Sequence, residues 1–162
     1  VWLSDGATTQ LPVALHRGAQ LDDAQREENR RAVHAAWRAA ADDTARSLQH
    51  GFYQGWDLHP AQLVSRYAAV YAFFLANLER ATRRLTAFVE HLGQATLSGT
   101  TFAQATLVGD VFDDAATGQG LLNFFLRGLS CGALTEEEAL ATGLTREELA
   151  SRSFAVIARH RR

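Results

Sequence analysis

Three adjacent aspartate pairs, Asp22-Asp23, Asp42-Asp43 and Asp113-Asp114, stand out in the chain beside six histidines and one cysteine, Cys131. The first two pairs fall within a helical pattern and read as solvated helix residues. Asp114 directly precedes Ala115-Ala116, a position where aspartate caps a helix by accepting from the free backbone N–H groups of its first turn. His59 is followed by Pro60 and reads either as a structural histidine bonded at the edge of a fold or as a proton carrier. Trp56 reads as a core residue or a ligand contact. No histidines have the spacing of metal ligands on one helix. Cys131 lacks a neighbouring base, which suits a buried thiol. The chain has no lysine, so nothing in it can form a Schiff base with a carbonyl substrate.

Composition sets the frame for these groups. The chain has 162 residues, begins at Val1 and contains no methionine, which leads us to expect the C-terminal piece of a larger intracellular protein. A hydrophobic content of 47% suits a chain that buries a core. No run approaches the roughly 18 to 20 apolar residues of a membrane span, so no membrane partner is expected and the expected compartment is the cytoplasm. The formal charge of -2 gives no electrostatic case for nucleic acid. The basic end, Arg159 to Arg162, is short and reads as a solvated terminus.

Periodicity then supplies the elements. Val1 to Leu3 reads as a buried strand closed by the turn Ser4-Asp5-Gly6, and a loop follows through Pro12 and Gly18. From Asp22, apolar residues at helical spacing (Ala36, Trp37, Ala40, Leu48) predict a helix that ends at Gly51. Gly55 to His59 reads as a second short strand, and Pro60 is well placed to start a helix. Residues 61–92 carry the clearest pattern: Tyr67, Tyr71, Phe74, Leu78, Ala81, Leu85, Phe88 and Leu92 alternate by four and three, predicting one long helix with a seam toward a partner. That seam is expected to meet either this chain's own later helices or another subunit. Residues 94–113 contain a direct ten-residue repeat and read as a loop lengthened by duplication. Helices are predicted at 115–130, 136–142 and 146–159, with capping boxes at Thr135/Glu138 and Thr145/Glu148.

Two motifs carry a family resemblance. The run from Gly51 to Gln62, through Phe52, Trp56, His59 and Pro60, resembles the segment near the end of the barrel in citrate lyase β-subunits and malyl-CoA lyases. It is also similar to the tryptophan-x-x-histidine-proline stretch of malate synthases. Asp5-Gly6 is similar to the aspartate-glycine at the preceding strand end. Downstream, Val111-Phe112-Asp113-Asp114-Ala115-Ala116-Thr117 resembles the acidic lid motif of malate synthases, whose second acid is the catalytic base. The chain departs from these patterns at Gln54-Gly55 and at Gly118-Gln119-Gly120, and the resemblance covers residues 1–66 and 110–120.

The resemblance implies an α/β fold: the C-terminal portion of a (β/α)8 TIM barrel plus a helical C-terminal extension, so that this chain is mostly α with two short strands. Residues 1–92 hold the last two barrel strands with their helices, and residues 93–162 the loop and extension. It implies a lyase, aldolase or synthase acting on a small oxo acid through an enolate, with the CoA thioester left open. Asp114 would be the base and Trp56, His59, Pro60 and Asp113 substrate contacts. A carboxylate at a helix start, partly desolvated as a lid closes, can be tuned for such proton transfer. Mg2+ is implied, with ligands upstream and none here. The competing class is a non-catalytic helical assembly module, and in either case the long helix is the place for a homo-oligomer contact.

Overall fold

The computed structural model describes residues 3–98, 106–108, 111–113 and 115–161, and only the backbone for those of them between 91 and 115. The chain is mostly helical. It divides into two compact units, Val1–Phe73 and Phe74–Arg162, with the division inside the long helix, whereas the sequence reading places it at 92.

The first unit is built around α1, Asp23–Gln49. Asp22 opens it with a full capping box against Gln25, satisfying backbone donors that have no partner inside the helix. Ala36, Ala40, Thr44 and Leu48 are its buried residues, one every four positions and so along one face. Gly51 follows with φ +83, a left-handed conformation open to glycine at little cost. The chain then runs back beside its start: Ser4 and Gln54 form an isolated parallel bridge. A parallel pairing spanning one helix is the order of a βαβ unit. Of the two expected strands, the one at 55–59 does not form, and the one at 1–3 lies mostly outside the described residues. Residues 1 and 2 lie outside the described residues, Leu3 is irregular, and the only pairing in this unit's described residues is the Ser4–Gln54 bridge, one residue before Gly55. Gly55 to His59 instead bends, because its backbone donors turn to a side chain: Leu58 and His59 N–H both donate to Gln62 Oε1.

A short 3-10 turn, Pro60–Gln62, leads into α2, Leu63–Ser98. The predicted seam behaves differently along its length. Phe74, Ala81, Leu85 and Phe88 are buried, but Tyr67 is 55% and Tyr71 36% exposed. In the first unit, Gln62 of the turn is buried, and the ring of Phe73 on α2 meets Tyr53 edge-on at 6.5 Å.

The second unit combines the later part of α2 with α3 (Ala115–Cys131), α4 (Glu136–Leu140), α5 (Arg146–Ser151) and α6 (Phe154–His160). The core is aromatic: Phe74 lies 5.0 Å from Phe124, and Phe88 meets Phe154 edge-on at 5.5 Å. Both capping boxes form, Thr135 with Glu138 and Thr145 with Glu148. The helix expected over 146–159 is broken at Arg152, which is left-handed at φ 55. Gln119 holds the break, accepting from Phe154 N–H and donating to the Arg152 carbonyl. The repeat is also more than a loop. Gln94 to Leu97 of its first copy lie in α2, while Thr106–Val108 (β1) and Val111–Asp113 (β2) of its second copy pair antiparallel, Leu107 opposite Phe112. The same Thr-Leu pair is thus helical at 96–97 and extended at 106–107, as expected where context outweighs propensity.

Candidate functional site

The residues of the Gly51–Gln62 motif gather at one end of the first unit, around the Ser4–Gln54 bridge. Trp56 is 63% exposed, not part of the core, and its indole N–H donates to Ser4 Oγ at 2.9 Å. The bridge and this bond set the segment after Ser4 beside the segment after Gln54. In a parallel α/β layer, those are the ends at which chemistry is built.

Gln62 is the organising residue. It is 1% exposed and uses its whole amide: Oε1 accepts from Leu58 and His59, while Nε2 donates to the carbonyls of Thr8 at 2.9 Å and Gln10 at 3.2 Å. It therefore clamps the loop after Asp5-Gly6 to the loop carrying Trp56 and His59. His59 is half-buried, and its Nδ1 accepts from Ala61 N–H at 3.1 Å. That bond fixes the proton of a neutral ring on Nε2, which has no partner among the described residues. Pro60 is exposed and opens the turn.

Beside this clamp lies a polar cleft of about 280 Å³, lined by Asp5, Thr8, Ser47, Tyr53, Gln54 and Arg66 among others. Its acids are already engaged. Asp5 accepts from Ser47 Oγ at 2.8 Å, and Asp43 accepts from Thr8 Oγ1 at 2.8 Å and from Arg46 at 3.1 Å. Arg66 Nε donates to both oxygens of Asp57, at 2.8 and 2.7 Å, and Nη2 donates to the Trp56 carbonyl at 2.8 Å. Nη1 carries no bond among the described residues and lies against Gly55: a Cβ there would stand 2.3 Å from it. This accounts for the departure at Gln54-Gly55, since Gly55 leaves room for the guanidinium.

Sequence reasoning missed Arg66. Its signal was the Arg66–Asp57 pair flanking the His-Pro turn, legible only once the turn is known to fold back.

The downstream motif belongs to the other unit. Asp113 ends β2 with its backbone opposite Thr106, and Asp114 lies outside the described residues. The departure at Gly118-Gln119-Gly120 has a packing cause: a Cβ on Gly118 would stand 2.6 Å from the Phe154 ring, and Gln119 holds the start of α6. Cys131 is partly buried, and its thiol lies 3.4 Å from the Gly128 carbonyl.

Among the described residues, no three His, Cys, Asp or Glu side chains come together as a metal site. The acids that line the cleft, Asp5 and Asp43, accept hydrogen bonds from hydroxyls and, for Asp43, from the Arg46 guanidinium. No helix of the described residues is long and apolar enough to cross a membrane. No curated protein and no solved structure matches the chain. A family model described as a domain of unknown function (DUF6986) matches residues 1–157, and the chain belongs to that family.

Proposed function

We propose that this chain is the C-terminal part of a (β/α)8-barrel lyase, aldolase or synthase that acts on a small oxo acid through an enolate, in the cytoplasm. The observation that carries the reading is the parallel Ser4–Gln54 bridge across α1. It supports the order of two successive barrel strands, with Asp5-Gly6 and Trp56-His59 at their shared C-terminal end. The Asp113-Asp114-Ala115-Ala116-Thr117 resemblance supports Asp114 as the base that removes a proton α to the carbonyl, and Asp113 as a substrate contact.

Trp56, His59 and Pro60 form the rim against which the substrate lies in this reading, and Arg66 Nη1 is the donor for its carboxylate. Mg2+, if the reaction uses it, is held by residues other than the described acids. The test is proton exchange. The full-length protein is mixed in D2O with a panel of small oxo acids and acyl thioesters, with Mg2+ present, and loss of the α C–H signal is followed by NMR. Enzyme-dependent exchange of at least one substrate is expected. Its absence across the panel would contradict the reading and favour an assembly module.

A further inference from the structure

We propose that Asp57 sets the charge selectivity of the polar cleft. By pairing with Arg66 it leaves a donor for one carboxylate and no net positive charge for a second, so the cleft takes small monocarboxylates and rejects dianions. This selectivity rests on the reading of Arg66 Nη1 as a carboxylate donor, but not on the enolate chemistry.

Arg66 stands in the first turn of α2. Its Nε donates to both oxygens of Asp57, and its Nη2 donates to the Trp56 carbonyl. A planar guanidinium held by these bonds is fixed in orientation, so Nη1 is presented at one place, beside Gly55 and among the residues that line the cleft. The pair is largely withdrawn from water, with 23% of the Arg66 side chain and 15% of the Asp57 side chain exposed. Asp57 does not itself line the cleft. It acts through Arg66 and is a positioning residue.

The same pairing removes the charge. Among the described residues, the charged side chains lining the cleft are Asp5, Asp43, Arg46 and Arg66. Arg46 is matched by Asp43 at 3.1 Å and Arg66 by Asp57 at 2.7 Å. Asp5 accepts from the Ser47 hydroxyl and has no cation beside it among the described residues. The uncompensated charge is therefore negative. One carboxylate gains a charge-assisted hydrogen bond from Nη1, whereas a second anionic group on the same ligand meets the like charge of Asp5. A cleft of about 280 Å³ is at the small end for ligand sites, so the two ends of a dianion cannot both stay clear of it.

NMR titration of the chain at neutral pH with pyruvate and with oxalate tests this. The two anions have the same number of non-hydrogen atoms and differ by one charge, and the Arg66 Nε–H and Gly55 amide signals report on them. Pyruvate should shift both signals and bind at least about tenfold more tightly than oxalate, the effect of one unit charge acting over several ångströms in a partly solvated cleft. Asp57→Asn keeps an acceptor oxygen for Arg66 but removes the countercharge, and should reverse the order. A folded Asp57→Asn chain that keeps the wild-type order, or a wild type that binds oxalate as tightly as pyruvate, would overturn the role of Asp57 and leave Arg66 as the carboxylate donor. Should Asp57→Asn unfold, Asp5→Asn decides. It removes the uncompensated charge without touching the Arg66 bonds, and must raise oxalate at least to the level of pyruvate. If neither anion moves the wild-type Arg66 signal, the carboxylate donor is itself lost, and the selectivity with it.

Discussion

Gln62 and Thr8 are 54 positions apart, yet the Gln62 side-chain amide donates to the Thr8 carbonyl at 2.9 Å. Together with its bonds to Gln10, Leu58 and His59, this makes one buried side chain the fastener of both loops that follow the Ser4–Gln54 bridge. Gln62→Leu fills similar volume but leaves two backbone donors and two carbonyls without their partner. At about 1 to 3 kcal/mol for a buried group left unsatisfied, a loss of about 3 kcal/mol is expected. Urea denaturation measures it, and a loss below about 0.5 kcal/mol, the range of a neutral surface change, would contradict the clamp.

Gly55 and Gly118 accommodate side chains of very different freedom. A Cβ on Gly118 meets the Phe154 ring, buried in the second core, which has nowhere to go. Gly118→Ala should therefore cost about 1 to 3 kcal/mol, the usual range for overpacking. Gly55→Ala meets the far end of Arg66, which can swing away at a smaller cost to stability. It should instead raise KM in the proposed reaction while leaving kcat nearly unchanged, as loss of a ground-state contact does. Thermal unfolding and steady-state kinetics of both variants check the contrast.

Glu148 is held below its ordinary pKa of 4.5, first by its hydrogen bonds from the Arg161 guanidinium and then by Thr145 at the cap, against the opposing effect of burial. Arg161 Nη2 also donates to the Gly143 carbonyl at 2.7 Å, tying the C-terminal helix to the turn before α5. Because the folded pKa is the lower one, the unfolded chain binds the proton more readily. The stabilisation is therefore present above pH 4.5 and disappears as pH falls through the folded value. Glu148→Gln should lower stability at neutral pH and flatten the acid side of the stability profile below pH 4.5. Thermal unfolding between neutral and strongly acidic pH measures both effects, and an unchanged acid slope would count against the pair.

The helices were legible because their signals are local. Alanines repeating every four residues on α1, the long apolar spacing of α2 and the two threonine capping boxes each lie within a turn or two of the structure they specify. What could not be read depends on residues far apart in the chain. Gln62 is fixed under the bend at Gly55 to His59 by the carbonyl of Thr8, 54 positions away, and the break at Arg152 comes from Gln119, 33 positions away. The seam of α2 reads as uniform in sequence, yet Phe74 meets Phe124 whereas Tyr67 faces outward; tyrosine at a seam position does not report which partner, if any, lies opposite. At the candidate site, Trp56, His59 and Pro60 were found by motif, while Arg66 needed the folded turn to be noticed.

Proton exchange measured on Asp114→Asn decides whether Asp114 moves a proton in the complete protein. Asparagine caps a helix about as well as aspartate, so the substitution keeps any capping bond while removing the proton acceptor. Exchange of the α C–H should fall by about 10² to 10⁴-fold with thermal stability nearly unchanged, and Asp113→Asn should be much milder. If Asp114 is a cap alone, Asp114→Asn keeps its exchange rate and Asp114→Ala loses about 1 kcal/mol of stability. An Asp114→Asn protein that exchanges at the wild-type rate would show that Asp114 is not the base.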